Sequence, residues 1–401
     1  MSVRQAISIA FGLMLAAQCV PSLRAQEPVN ADTAARGPFE PRAGAPRNVL
    51  SPAEWQRVDA AVDRALAWLA HEQQSDGSFP TLDSGQPGVT ALCVMAFIAH
   101  GHLPGEGEYG KRLELATDFV LSCQKDNGLL AVVAPDGPEI DRQVNHDMGV
   151  SAVYNHGISS LMLSELYGMS GPQRAARIEK AVTRSIATTL KMQRWPKDYP
   201  EDIGGWRYID DFDDRDSDLS ITGWQLMFLR SARNAGFEVP KQSIDAAVQY
   251  VRQTYNQNYG AFGYSTAPND TRSRGMAGAG ILALAHAGYH NSLEAHNSAA
   301  WLQQYDFDAY NQLIPFGQSW FQDRYHYGVF NSCQAMYQLG GRYWEQFFPR
   351  VVRTLLENQQ PDGSWPAESH FHDGQFGNAY TTALVVMTLG APNQLLPVFQ
   401  R

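Results

Sequence analysis

Gln73-Gln74-Ser75-Asp76-Gly77-Ser78-Phe79-Pro80 returns near the C-terminus as Gln359-Gln360-Pro361-Asp362-Gly363-Ser364-Trp365-Pro366. Asp-Gly is turn chemistry, because glycine supplies the positive φ that such a turn needs. The glutamine ahead of it carries an amide that can stitch helix ends together. A turn that recurs in the same setting marks a repeated structural unit, and the period of that unit decides the fold.

Six units can be traced. Each opens with a charged amphipathic helix, passes through a turn, and ends in a nearly charge-free helix. The pairs are 60–72 with 90–100, 113–123 with 149–167, 178–191 with 218–235, 244–254 with 274–286, 295–304 with 328–339, and 349–358 with 378–389. The fifth is degenerate, with a long aromatic loop in place of the turn. In the first helix Val58, Val62, Leu66 and Leu69 share one face, while Arg57, Asp63 and Arg64 fall elsewhere. Such a helix keeps one face wet. The stretch 90–98 is apolar all round and needs cover on every side, yet is too short to span a bilayer. Outer wet helices around inner dry ones predict an all-α (α/α)6 toroid over residues 51–397. An open superhelix also fits the repeat; the length, six pairs without a capping unit, favours closure. The inner helices then run parallel, and their N-termini meet around a central cavity.

The chain has 401 residues, 18% charged, 44% hydrophobic, with net charge −10. That is a soluble globular composition, and its acidity argues against nucleic acid or an anionic membrane surface as partner. Arg4, the apolar run 6–20 and Leu23-Arg24-Ala25 read as a signal peptide over 1–25. Export to the periplasm or beyond is therefore expected, with no transmembrane segment. Cys19 follows Gln18, which is too bulky for a lipidation box. Residues 26–50 are rich in Pro, Ala, Gly and Arg and read as a disordered lead-in. Order is expected from Ser51-Pro52-Ala53-Glu54, a capping box with proline at the first helical position. Cys93, Cys123 and Cys333 form neither a disulfide framework nor a zinc spacing. No cofactor and no metal is expected.

The Gln-x-x-Asp-Gly-Ser-Phe/Trp turns resemble the QW repeat of squalene–hopene cyclases and the related repeat of protein prenyltransferase β subunits. Tyr154-Asn155-His156-Gly157-Ile158, Gly204-Gly205-Trp206-Arg207-Tyr208 and Ser220-Ile221-Thr222-Gly223-Trp224-Gln225 look like exported bacterial prenyltransferase and squalene oxidase repeat proteins. The resemblance covers roughly residues 55–390 and implies the terpenoid cyclase/prenyltransferase toroid. It further implies a site at an inner-helix N-terminus, where class II cyclases carry Asp-x-Asp-Asp. Asp216-Ser217-Asp218-Leu219 supplies two of those three acids, Asp218 as proton donor and Asp216 as its partner. Asp218 sits where zinc-dependent prenyltransferases place a cysteine, and Tyr380 where their histidine belongs, so that zinc site is not expected. The Cys-Gly-Glu-Gln of complement-like thioester domains is absent.

Residues at the starts of inner helices are the site candidates. His156, Asp216 and Asp218 are the catalytic candidates; Asp213, Asp214, Trp224, Arg274, Tyr327 and Tyr380 are the ligand-binding ones. His146, Asp147, Asn155, Arg272, Tyr325, His326, His370, His372 and Asp373 lie on the same rim. Each has a plainer role open to it: Asp218 as helix cap, His156 as backbone partner, Arg274 as a tie to the acidic loop 210–218, Trp224 as packing. Three functions stand open. One is a cyclase-like toroid with a small-molecule ligand in its cavity, including acid-initiated cyclisation or isomerisation of an isoprenoid. The second is a carbohydrate-active enzyme, and the third a non-catalytic toroid holding a lipid, peptide or protein.

Overall fold

The computed structural model describes residues 46–210, 215–268, 272–314, 323–369 and 371–400. The expected signal peptide and most of the lead-in lie outside these residues. The last part of the lead-in is ordered: Pro46–Val49 forms a 3-10 turn, and the Arg47 carbonyl accepts from the Trp55 indole N–H at 2.8 Å. The capping box then works as the sequence predicts. Ser51 Oγ accepts from the Glu54 amide, and the Glu54 carboxylate accepts from the Ser51 amide.

Thirteen α-helices are present among the described residues. The charged set is α1 (Pro52–Glu72), α3 (Gly110–Ser122), α5 (Pro172–Gln193), α7 (Lys241–Gln253), α9 (Leu293–Leu302) and α11 (Gly341–Glu357). The apolar set is α2 (Gly88–Ile98), α4 (His146–Leu166), α6 (Leu219–Asn234), α8 (Arg274–His286), α10 (Tyr325–Leu339) and α13 (Gly377–Leu389); α12 (Phe371–Gly374) is a single turn. Around the inner ring α2 packs on α4, α4 on α6, α6 on α8, α8 on α10, α10 on α13, and α13 back on α2. In the outer ring α11 reaches α1. The chain is therefore a closed (α/α)6 toroid and not an open superhelix.

Burial follows the charge pattern. Every residue of α2 is buried, whereas α1 buries Val58, Ala61, Val62, Ala65, Leu66, Leu69 and Ala70 and leaves its other face to solvent. Cys93 and Cys333 are buried filler, and burial pushes both thiols well up.

Four glutamine turns each lock an outer helix to the next. Gln73 Nε2 donates to the carbonyls of Gly77 and Arg112, Gln124 Nε2 to Gly128 and Ala181, Gln193 Nε2 to Gly204 and Ser243. Gln359 Nε2 donates to Gly363 and, closing the circle, to Ala61 of α1. The glycine is obligatory: Gly77 has φ +94° and Gly363 φ +99°, and a Cβ on either would lie 2.4–2.5 Å from a carbonyl oxygen of the neighbouring outer helix. The aromatic that ends the turn is buried, and its amide is satisfied by an inner helix. Phe79 N–H donates to Thr90 Oγ1, Trp206 N–H to Thr222 Oγ1, and Trp365 N–H to Thr382 Oγ1.

The two ends of the barrel differ. At the C-terminal ends of the inner helices, the 3-10 segment Pro397–Phe399 forms a floor. Val398 N–H donates to Glu165 of α4, Gln338 of α10 donates to the Phe399 carbonyl, and the Phe399 ring lies against His286 and Phe330. One layer above, Trp224 of α6 stacks on Phe330 of α10 across the axis, centroids 5.9 Å apart and planes 9° from parallel. The barrel is thus filled from below, and the N-terminal ends of the inner helices frame a recess at its mouth.

Candidate functional site

Asp218 is the N-cap of α6 and has no exposed surface. Its Oδ1 accepts from the Ile221 amide at 2.8 Å and from Ser220 Oγ at 2.6 Å, and its Oδ2 faces Arg207 Nη1 at 3.5 Å. Burial raises its pKa; the Arg207 charge, the Ile221 amide and the Ser220 and Tyr264 hydroxyls offset part of the rise. The expected cap is therefore present.

Phenols extend this group into the recess. Ser220 Oγ meets Tyr154 OH at 2.5 Å, Tyr208 OH meets Tyr264 OH at 2.5 Å, and Arg207 donates to Tyr264 OH at 3.3 Å. The Arg207 guanidinium lies between the Tyr208 and Tyr264 rings, at 4.8 and 5.5 Å. Tyr154, Tyr208 and Tyr264 are half-buried. Burial, with the Asp218 charge adding to it, pushes Tyr208 up to about 12 and the other two well up.

A second acid stands on the α12–α13 side. Asp373 Oδ1 pairs with Arg324 Nε at 3.0 Å, and Oδ2 accepts from Tyr380 OH at 3.3 Å. Burial raises its pKa, Glu368 adds to the rise, and Arg324 and Tyr380 oppose it. Unlike Asp218, it keeps 18% of its side chain accessible. Tyr327 feels both acids: after burial, the charges of Asp218 and Asp373 push its hydroxyl up. The mouth thus holds two Asp–Arg–Tyr groups, Asp218/Arg207/Tyr264 and Asp373/Arg324/Tyr380, drawn from opposite parts of the ring.

Behind Asp373, Glu368 accepts from both the His326 amide and His326 Nδ1 at 2.8 Å, and His326 Nε2 meets Tyr310 OH at 3.0 Å. Burial alone would raise Glu368; the bonds from His326 outweigh it and hold the carboxyl below its usual range.

Several candidates are placed otherwise than expected. Asp216 does not support Asp218: its carboxylate accepts from the Asp198 and Tyr199 amides at 2.6 and 3.2 Å and pins the 197–202 loop. His156 points away from the recess. Its Nδ1 accepts from the Leu130 amide and its Nε2 meets Thr189 Oγ1, so it fills the role that threonine fills in other units. Burial lowers its pKa to about 4, which keeps it neutral. Arg274 is a buried tie, though to a different loop from the one expected. It binds Asp323 at 2.8 Å and the carbonyls of Asp306 and Gln312, with its guanidinium 4.1 Å above Phe307. Trp224 is 3% exposed and belongs to the filling of the barrel. Asp213, Asp214 and His370 lie outside the described residues. Tyr380 donates to Asp373, and Tyr327 feels the charges of Asp218 and Asp373.

Arg207, Tyr208, Tyr264, Arg324 and Glu368 were not singled out by sequence reasoning. A usable signal existed for the first two. They follow Trp206 directly, and the aromatic of each turn points the chain at an inner-helix N-terminus. Among the described residues no cluster of three or more His, Cys, Asp or Glu could hold a metal, and no helix is long and apolar enough to cross a membrane.

No protein-family model matches the chain, and no curated protein matches its sequence. Solved structures do share its shape. A type II terpene cyclase from Scytonema, in complex with geranylgeranyl dihydroxybenzoate as substrate, aligns with TM-score 0.50 at 14% identity, over 86% of this chain and 99% of that one. A glycosidase in complex with glucose aligns with TM-score 0.56 at 14% identity, over 87% and 100%. A GH76 α-mannanase from Bacteroides thetaiotaomicron aligns with TM-score 0.57 at 12% identity, over 84% and 95%. At these identities the likeness is one of fold.

Proposed function

We propose that the chain is an exported carbohydrate-active enzyme that cleaves a glycosidic bond in the recess at the barrel mouth. The observation that carries this reading is the pair of Asp–Arg–Tyr groups around one hydroxyl-lined opening. Glycosidic bond cleavage requires a general acid whose environment raises its pKa, so that it holds the proton it must give. Asp373 is the accessible acid, and its raised pKa favours the proton it would give to the departing glycosidic oxygen. The electrons of the broken bond leave with that oxygen, water adds to the sugar carbon, and the proton that this water sheds passes to solvent, from which the Asp373 carboxylate is reprotonated. Asp218 has no exposed surface and so acts as a positioning residue. Through Ser220 it holds the Tyr154 hydroxyl, and through Arg207 the Tyr264–Tyr208 pair, where they can orient that water and the sugar hydroxyls.

An isoprenoid fits this mouth less well. Trp224, Phe330 and Phe399 occupy the apolar interior that a long hydrocarbon would need, and a hydrocarbon over the phenols and Arg207 would strip them of water without replacing hydrogen bonds. The fold itself accommodates either chemistry, since its solved examples include a cyclase and glycosidases. The finer resemblance to exported squalene oxidase repeat proteins rests on the two Gln-x-x-Asp-Gly-Ser turns, and export on the expected signal peptide; both belong to this proposal.

The test is release of reducing ends from a panel of oligosaccharides by the chain lacking residues 1–25. Turnover should fall by about 10²–10⁴-fold in Asp373→Asn. Failure to cleave or bind any glycan, together with uptake of geranylgeraniol, would overturn the reading.

A further inference from the structure

A third side-chain group at the barrel mouth, Glu368–His326–Tyr310, stands apart from the two Asp–Arg–Tyr groups. Glu368 and His326 are a wholly buried pair, with 0% of either side chain exposed. Glu368 Oε2 accepts from the His326 amide and from His326 Nδ1, and Oε1 accepts from the Ser369 amide at 3.1 Å. His326 Nε2 meets the hydroxyl of Tyr310, which is half-buried. A chain of bonds thus runs from a buried carboxylate, through a buried imidazole, to a phenol whose ring is accessible. Helix capping alone does not call for it. Arg324 gives α10 no side-chain cap, and Glu368 serves that N-terminus from the next unit. Yet α4, α8 and α9 are capped by the neutral side chains of Asn145, Ser273 and Ser292. A buried anion with an imidazole costs more desolvation than such a cap.

The direction of each bond follows from the carboxylate end. A carboxylate only accepts, so His326 Nδ1 carries its hydrogen. In the neutral imidazole Nε2 is then an acceptor, and the Tyr310 hydroxyl donates to it. The lone pairs of Tyr310 Oη are left for other groups, so this phenol meets a ligand or a water as an acceptor. The chain also adjoins the accessible acid. Arg324, two residues before His326, pairs with Asp373, so both acids are gripped from the start of α10. Burial raises Asp373, Tyr310 and Tyr380, and the Glu368 charge adds to each. The Tyr325 ring lies edge-on to both Tyr310 and His326, centroids 5.2 Å from each.

We propose that Tyr310, His326 and Glu368 form a proton-accepting relay for the water that attacks the sugar carbon. This rests on the glycan reading and supplies its base. As the water oxygen bonds to the sugar carbon, one water O–H bond breaks and its proton goes to Tyr310 Oη, while the proton of Tyr310 moves to His326 Nε2. The imidazolium so formed is paired with the Glu368 carboxylate, which orients it and stabilises its charge. Once the products leave, the proton returns through Tyr310 to solvent.

The test compares the chain lacking residues 1–25 with its Tyr310→Phe and Glu368→Gln variants on maltotriose, cellotriose, laminaritriose, mannotriose and chitotriose, with products read by mass spectrometry. Tyr310→Phe keeps the ring packing and removes only the hydroxyl; Glu368→Gln keeps an acceptor for the His326 amide and removes the charge. On the trisaccharide that the parent cleaves, each should lower kcat by about 10²-fold or more and change KM less. Sodium azide is the deciding addition, because an azide anion attacks carbon without losing a proton. It should restore turnover in both variants, with a glycosyl azide as product, and leave Asp373→Asn inactive. A variant that keeps the parent's kcat, or a loss that azide does not restore, would overturn the relay and leave the glycan reading standing. Cleavage of none of the five by the parent would overturn both.

Discussion

Glu165 offers a sharp test of how the barrel floor is built. It sits on α4, 4% exposed, and accepts from the Ser231 hydroxyl and, at 3.2 Å, from the Val398 amide. Burial raises its pKa from 4.5 to about 7, more than the two hydrogen bonds lower it. The folded state therefore holds this proton more tightly than the unfolded chain does. The resulting contribution is fully present below about pH 4.5 and is lost as pH rises through about 7. A shift of that size corresponds to roughly 3 kcal/mol. Glu165→Gln removes the titration and keeps the contacts, because Oε1 can accept from Val398 and Nε2 can donate to Ser231 Oγ. Urea unfolding, followed by tryptophan fluorescence, should give the two proteins similar stabilities at pH 4.5. At pH 8.5 the variant should be more stable by about 3 kcal/mol. Other titrating groups cancel in the difference. A gap between variant and parent that stays constant over this range would refute the argument that a carboxyl ionises inside the floor.

At Asp218 the two obvious substitutions should separate capping from charge. Asn keeps the cap to Ile221 and loses the charge that faces Arg207, costing about 1–3 kcal/mol by urea unfolding, whereas Ala also removes the acceptor of the Ile221 amide and the Ser220 hydroxyl and should cost about 3–5 kcal/mol. His156→Ala should cost about 2–4 kcal/mol, since it leaves the Leu130 amide unpaired and a void beside Thr189. It should leave turnover per folded molecule unchanged; a selective loss of turnover would return His156 to the chemistry. Gln359→Ala removes the bond to Ala61 of α1 and the bond to Gly363 within the turn, and should lower stability by about 1–3 kcal/mol. Gly363→Ala should cost at least as much, because its φ of +99° and the Arg64 carbonyl both oppose a Cβ; a neutral result in thermal unfolding would argue against the stitched ring.

Some placements at the inner-helix starts were legible before the structure. Asp218 as a cap follows from an acid standing just before an uncharged helix, and Tyr327 and Tyr380 from their places near inner-helix starts. The placements that differ from expectation share a cause. His156, Asp216 and Arg274 have the residue types of catalysis; Asp216 and Arg274 lie near inner-helix starts, whereas α4 begins ten residues before His156 and leaves it mid-helix. Which way a side chain points at a helix start depends on one residue of phase. His156 is two positions after Tyr154; on a helix that turns it from the axis toward the outer ring, where Leu130 and Thr189 use it. Arg274 was matched to the nearest run of acids in sequence, whereas its partner Asp323 comes from the loop before α10.

The sequence by itself determined the repeat, the wet and dry helices and the turns between them, because periodicity, glycine φ and glutamine amides act over a few residues. From these a ring or superhelix of stacked helical hairpins follows, with the chain length favouring the ring. Only the tertiary structure decided that the ring closes, that Trp224, Phe330 and Phe399 fill the barrel from below, and that Arg207 and Arg324 each join an acid and a tyrosine at its mouth. These outcomes depend on contacts between helices far apart in the chain. Burial there raises the pKa of Asp218 and Asp373, and burial is a property of what surrounds a residue, which its neighbours in sequence do not specify.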